Sequence, residues 1–215
     1  MKARDAVASV KPKMRGLLHE VAFFVSLVTG PVLVFASHSG NRLGTAMYSF
    51  TVTNLFGVSA LYHRPQWKPK IRRWMRRLDH SSILFLIAGT FTPIAFVLRE
   101  ITWVWVAFWI VWGLALAGVA VQFLPLKVPK PVAVIPYLVL GWAGVSLLPP
   151  ALTYIGVTAG ILLIVGGVLY TVGAIAYARR SPNPKPEVFG YHEVFHAFVI
   201  LAVMCHYSAI ALAVI

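Results

Sequence analysis

Residues 155–178 read IGVTAGILLIVGGVLYTVGAIAYA, with no Asp, Glu, Lys, Arg or His until Arg179-Arg180 closes the run. As an α-helix this stretch rises about 36 Å, enough to cross the roughly 30 Å hydrocarbon core of a bilayer. Six further apolar stretches of similar kind lie at 17–36, 43–63, 78–98, 101–123, 132–148 and 190–212. The pattern predicts an all-α membrane protein, a bundle of seven transmembrane helices, multi-pass in the cell membrane. Residues 1–16 read as a basic cytoplasmic tail and residues 17–215 as one membrane domain. The runs are too long and too continuously apolar for the alternating strands of an outer-membrane barrel. The fifth is the most interrupted, with Pro136 inside it and Pro149-Pro150 at its end.

Composition agrees. Of 215 residues, 59% are hydrophobic and 12% charged, with a mean hydropathy of +0.79. A soluble domain usually runs near a quarter charged. The net charge of +13 suggests nucleic acid at first sight, but a nucleic-acid-binding domain still needs a solvated surface, and this chain lacks the charge for one. The single cysteine, Cys205, excludes a disulfide scaffold. Cleavage of the first span as a signal peptide after Val34-Phe35-Ala36 is disfavoured, because the apolar run is too long.

The excess charge is distributed by side. Seventeen of the nineteen Lys and Arg fall in the N-terminal tail and alternate connections, against Arg42 and Arg99 in the others. By the positive-inside rule this places the N-terminus in the cytoplasm and the C-terminus outside. The basic inner loops also suit anionic inner-leaflet lipids, at about 1 kcal/mol per cation near the surface. Trp103 and Trp105 suit an outer interfacial belt, whereas Trp109 and Trp112 lie deeper and read as packing residues.

Ionisable residues inside membrane spans are costly and mark candidate functional sites. With these spans, His63 ends the second, Asp79 and His80 begin the third, and His192 and His196 begin the seventh. His63, Asp79, His192 and His196 thus reach the same cytoplasmic depth. His192 and His196, at i and i+4, share one helical face about 6 Å apart along the axis. That spacing presents two imidazoles to one metal ion, and His63 can supply a third. Three histidines leave a fourth tetrahedral zinc position open, as in catalytic sites. Asp79 can hold a water there, and Ser59, four residues before His63, shares its face. Three imidazoles and a carboxylate also suit other divalent metals. A histidine in a bundle can equally hydrogen-bond across helices. That plainer reading is kept for His19 and His80, while His206, about 15 Å beyond His196, reads as a buried hydrogen-bonding pair with Cys205. Glu20 reads as a charge favouring a helix N-terminus. His192-Glu193-Val194-Phe195-His196 also matches H-E-x-x-H, in which the glutamate is the general base of a metalloprotease.

Ser59-Ala60-Leu61-Tyr62-His63, Leu78-Asp79-His80-Ser81-Ser82-Ile83, Ala88-Gly89-Thr90-Phe91-Thr92-Pro93 and His192-x3-His196 with a trailing His206 together resemble the bacterial hemolysin III-type proteins. These group with the progestin and adipoQ receptors and, more distantly, with alkaline ceramidases. The resemblance covers essentially the whole chain. It implies zinc near the cytoplasmic face, bound by His63, His192 and His196, with Asp79 near the metal through water and Ser59 beside it. It also implies, in some branches, hydrolysis of lipid amides. Arg15-Gly16-Leu17-Leu18-His19-Glu20 departs from the acidic first-span pattern of other members.

Two functions of different kinds follow. In one, a zinc-dependent membrane hydrolase acts on a lipid amide or ester entering from the inner leaflet. In the other, zinc is a structural clamp in a non-enzymatic sensor or regulator of membrane state. An intramembrane metalloprotease and a cytolysin are further alternatives, and a pore has little support because the outer halves lack a polar stripe.

Overall fold

The computed structural model describes residues 11–124 and 130–215. Residues 1–10 of the basic tail, and Lys127, lie outside the described residues. Among the described residues the architecture is all-α, with seven long helices in chain order: α1 (Leu17–Ala36), α2 (Arg42–His63), α3 (Pro69–Val97), α4 (Thr102–Gln122), α5 (Ile135–Tyr154), α6 (Val157–Arg179) and α7 (Tyr191–Val214). Six are long and apolar enough to span a membrane.

The exception is α2. It is long enough at 22 residues but carries Thr45, Ser49, Thr51, Thr53, Asn54 and Ser59. These are tolerated because α2 is flanked by protein on two sides, packing between α1 and α3. Its hydroxyls bond to backbone carbonyls: Thr45 to Asn41, Thr51 to Tyr48, and Ser49 to Gly30 on α1. Helix α3 is the most enclosed of the six apolar helices. Helix α7 returns against α1 and α3 and closes the bundle.

The outside of the bundle is apolar. On α1 the residues Val21, Phe24, Val25, Val28, Val32 and Phe35 point outward at helical spacing, while the buried positions are His19, Ser26, Gly30 and Leu33. Large side chains outside and small or polar ones inside is how a helix meets lipid on one face and close-packed helices on the other. The chain is a multi-pass membrane protein.

Three expectations change in detail. Helix α3 begins at Pro69 rather than near residue 78. Pro69 occupies the first helical position, where its missing N–H costs nothing, and the basic residues that follow are good helix formers. Pro149-Pro150 does not end α5. It opens the second half of that helix, Leu148–Tyr154, after a 3-10 segment at Ala143–Leu147, because proline is tolerated in a first turn. Trp109 is not buried in the core packing: it is 62% exposed on the outer face of α4 and meets Phe108 edge-on. Trp112 does turn inward and donates to the Thr92 hydroxyl at 3.0 Å.

Residues 11–16 also depart from a free tail. Pro12 and Gly16 are buried, and the Lys13 and Met14 amides donate to the carbonyls of Glu187 and Val188.

Candidate metal centre

His63 is the last residue of α2, and His192 and His196 occupy the first two turns of α7. The antiparallel return of α7 brings the three to one end of the bundle. His63 and His196 are buried and His192 is half-buried. One nitrogen from each ring lies within 4.8 Å of the other two. The ring centroids form a near-equilateral triangle, 4.6 Å for His63–His192, 4.6 Å for His192–His196 and 5.2 Å for His63–His196. The Nε2 atoms of His63 and His192 are 3.1 Å apart. Two nitrogens bound to one tetrahedral zinc stand about 3.3 Å apart, given bonds near 2.05 Å.

The donor set therefore fits a divalent cation. A hydrogen bond between two imidazoles also satisfies the His63–His192 pair, but it leaves His196 aside. The buried Nδ1 of His196 has no hydrogen-bond partner among the described residues, so that pairing leaves a buried imidazole nitrogen unsatisfied.

Asp79 reaches the same end from α3, nearly three turns inside the extended helix. Its Oδ2 is 3.9 Å from His63 Nε2 and 3.8 Å from His80 Nδ1. The first distance is too long for a direct hydrogen bond and suits one bridging oxygen. Ser59, buried one turn before His63, interacts with the Asp79 carboxylate. The structure thus brings together His63, Asp79, Ser59, His192 and His196 from three helices. His80 turns aside, its Nδ1 on the Arg76 carbonyl at 2.8 Å. His206 sits higher in the bundle, and its Nε2 meets the Leu163 carbonyl at 3.1 Å rather than Cys205.

Glu193, the glutamate of the H-E-x-x-H match, does not serve this cluster. Its Oε2 accepts the Gly190 N–H at 2.8 Å, capping α7, and its Oε1 accepts from Arg15 Nε in a buried ion pair. Both oxygens are engaged at the helix start, so the metalloprotease reading loses its general base. Glu20 lies in the first turn of α1, as its charge favours, and also pairs with Arg64 Nε at 2.6 Å. Burial, and then the cations of Arg15, Arg64 and Arg72, hold the Lys11 ammonium below the usual lysine range.

One residue of this end escaped the sequence reasoning. His19 is 3% exposed, lies flat on His196 with centroids 3.7 Å apart and 4° between planes, and meets Phe56 edge-on. A lone histidine near a helix start next to a basic tail gives no hint of this; the contact exists only because α1 and α7 are neighbours. The stack fixes the plane of the His196 ring. His19→Ala is expected to lower metal affinity by about 10-fold, the lower end for outer-shell partners of a ligand. His19→Phe, which keeps a flat ring there, is expected to retain it. Metal titration of purified protein in detergent reads both.

A family profile described as "Haemolysin-III related" matches residues 7–207. The chain belongs to the haemolysin-III related family. It is 30% identical over 194 residues to the Hemolysin-3 homolog of Bacillus subtilis (strain 168), covering 86% of this chain and 85% of that protein. It is 28% identical over 172 residues to the human Monocyte to macrophage differentiation factor, covering 76% of this chain and 67% of that one. A shorter match, 39% over 49 residues and 20% of this chain, links it to the ADIPOR-like receptor IZH2 of Saccharomyces cerevisiae. The expected kinship with both the hemolysin III-type proteins and the adipoQ-receptor group is thus borne out. No solved structure matches the chain.

Proposed function

We propose that this haemolysin-III related protein is a zinc-dependent hydrolase of a lipid amide or ester, acting in the cell membrane with its metal centre near the cytoplasmic face. The observation that carries this reading is the arrangement of three imidazole nitrogens within 4.8 Å, with the Asp79 carboxylate 3.9 Å from His63. Three nitrogen donors would leave a tetrahedral ion with one open position, and the Asp79 carboxylate is close to the donor set. His63, His192 and His196 would hold the zinc, which would supply an acidified water, with a pKa of about 7, and polarisation of a carbonyl. Asp79 accepts the proton from the attacking water and returns it to the leaving amine or alcohol. The Ser59 hydroxyl, beside Asp79, orients that carboxylate. The apolar outer faces let a lipid approach sideways from the bilayer, and the concentration of seventeen of the nineteen Lys and Arg in the tail and alternate connections of the sequence supports the cytoplasmic orientation.

Asp79→Asn is expected to keep metal bound while lowering metal-dependent turnover roughly 100- to 10,000-fold, the usual contribution of a general base. The assay is a panel of long-chain amides and esters with the protein in mixed micelles, run with and without chelator. Absence of metal-dependent turnover across the panel would exclude the hydrolase.

The second reading, a zinc clamp joining α2, α3 and α7 in a sensor or regulator, draws on the three histidines coming from α2 and α7 with Asp79 of α3 beside them. It predicts that chelation lowers thermal stability strongly and that no substrate in the panel turns over.

A further inference from the structure

The segment Lys11–Gly16 has no helix or strand of its own, yet it lies across the end of the bundle that holds the three histidines. It is tied at three places. The Lys11 ammonium donates to the Arg64 carbonyl at 3.0 Å, just past the end of α2. The Lys13 and Met14 amides donate to the carbonyls of Glu187 and Val188, at 2.9 and 3.1 Å, in the α6–α7 connection. The Arg15 guanidinium pairs with Glu193 in the first turn of α7. Arg64 follows His63 in the chain and Glu193 follows His192, so two of the ties fall one residue from a cluster histidine.

The path of the segment passes directly over His63. Gly16 has φ +83°, and a Cβ there would stand 2.7 Å from the His63 Cβ. Only glycine takes this backbone conformation readily and permits so close an approach. Pro12 is buried on the other side, near Gly190 at the start of α7. The remaining walls of the cluster are long helices packed on one another. A short irregular segment held by a few bonds is where local opening costs least.

We propose that Lys11–Gly16 is a strap that closes the aqueous end of the three-histidine site, latched by Arg15 and Glu193, and that it lifts to admit ions and water. Only the identity of the ion rests on the zinc reading; the closure itself does not. Arg15 and Glu193 are positioning residues, acting through the strap and through the first turn of α7.

Glu193→Gln tests the latch with little disturbance, because the amide oxygen still accepts the Gly190 N–H while the charge is lost. Lys13→Pro tests the strap without touching Arg15 or Glu193, by removing one of the two amide ties. Two rates are measured on detergent-purified protein. The first is release of preloaded zinc to a chelator, alongside equilibrium metal content. The second is labelling of a thiol placed at the site, His63→Cys, by a charged maleimide in metal-free protein, with native Cys205 followed by peptide mass spectrometry as an internal control. Both variants are expected to raise both rates roughly 10- to 100-fold, the range that losing one charged hydrogen bond implies for Glu193→Gln, with Lys13→Pro at the lower end. Cys205 labelling is expected to stay unchanged.

Unchanged labelling at position 63 in both variants would overturn the strap, whatever the metal data show. A parallel rise at Cys205 would also overturn it, since that reports general loosening. If the parent binds no zinc but the thiol rates rise as expected, the strap stands and the zinc reading fails. Stoichiometric zinc with unchanged thiol rates has the opposite meaning.

Discussion

His63→Ala is expected to abolish stoichiometric metal binding. Losing an outer-shell partner of a metal ligand lowers affinity about 10- to 100-fold, so losing one of three ligands is expected to exceed roughly 100-fold. The argument is geometric. His192 and His196 are one helical turn apart on α7, so their spacing is set by local structure. His63 arrives from α2 and closes the triangle, with its Nε2 3.1 Å from that of His192. Two donors from one helix leave half the tetrahedral shell to solvent, where a chelator competes easily. Metal content after dialysis against a chelator reads the effect. His38→Ala is the matched control, since His38 lies in the α1–α2 connection and contacts the Val214 carbonyl at 2.8 Å. Full metal retention in His63→Ala would remove His63 from the site.

The second large effect is expected far from the histidines, at Gly89 on α3. A Cβ there would stand 2.8 Å from both Cβ and Cγ2 of Thr51 on α2, and still nearer its hydroxyl. Thr51 cannot swing away freely, because its Oγ1 donates to the Tyr48 carbonyl at 2.8 Å and the residue is buried. Gly89→Ala is therefore expected to destabilise the bundle by about 1–3 kcal/mol, the usual cost of overpacking, offset slightly by alanine's better helix propensity. Because α2 carries His63 and α3 carries Asp79, prying these helices apart is also expected to weaken metal binding. Thermal unfolding in detergent measures the first effect and metal titration the second. Thr51→Ala in the same chain removes the nearest atom and is expected to restore part of the stability. If Gly89→Ala unfolds at the parent temperature, the close α2–α3 approach is wrong.

Much of the site was legible because its parts obey local rules. Histidines and an aspartate do not persist inside apolar stretches without cause, so His63, Asp79, His192 and His196 stood out against their surroundings. The i,i+4 pair declared its shared face, and the alternation of span direction placed all four at one depth. Two placements at this end were not legible. His19 reads as one more polar residue at the edge of a basic tail, and its stacking on His196 depends on α1 lying beside α7. Glu193 carries a misleading mark: the spacing of H-E-x-x-H is local, but whether the glutamate faces an ion or caps its own helix depends on Arg15, 178 positions earlier in the chain.

The opening stretch, residues 155–178, shows the same division. Its length and unbroken apolarity determined that it would be a helix of membrane-spanning length, and Val157–Arg179 is that helix. Apolar burial and backbone hydrogen bonding act within one segment, so the sequence alone determined the helical class and six of the seven long helices in kind. It also determined which ionisable residues stand as candidates for the site. The tertiary structure decided which helices are neighbours. It made α2 tolerable as a polar helix by packing it between α1 and α3, and it laid residues 11–16 over His63. It also turned Glu193 away from the cluster and His19 onto it. Those outcomes come from contacts between segments far apart in the chain, where many pairings satisfy the same local rules and only close packing selects among them.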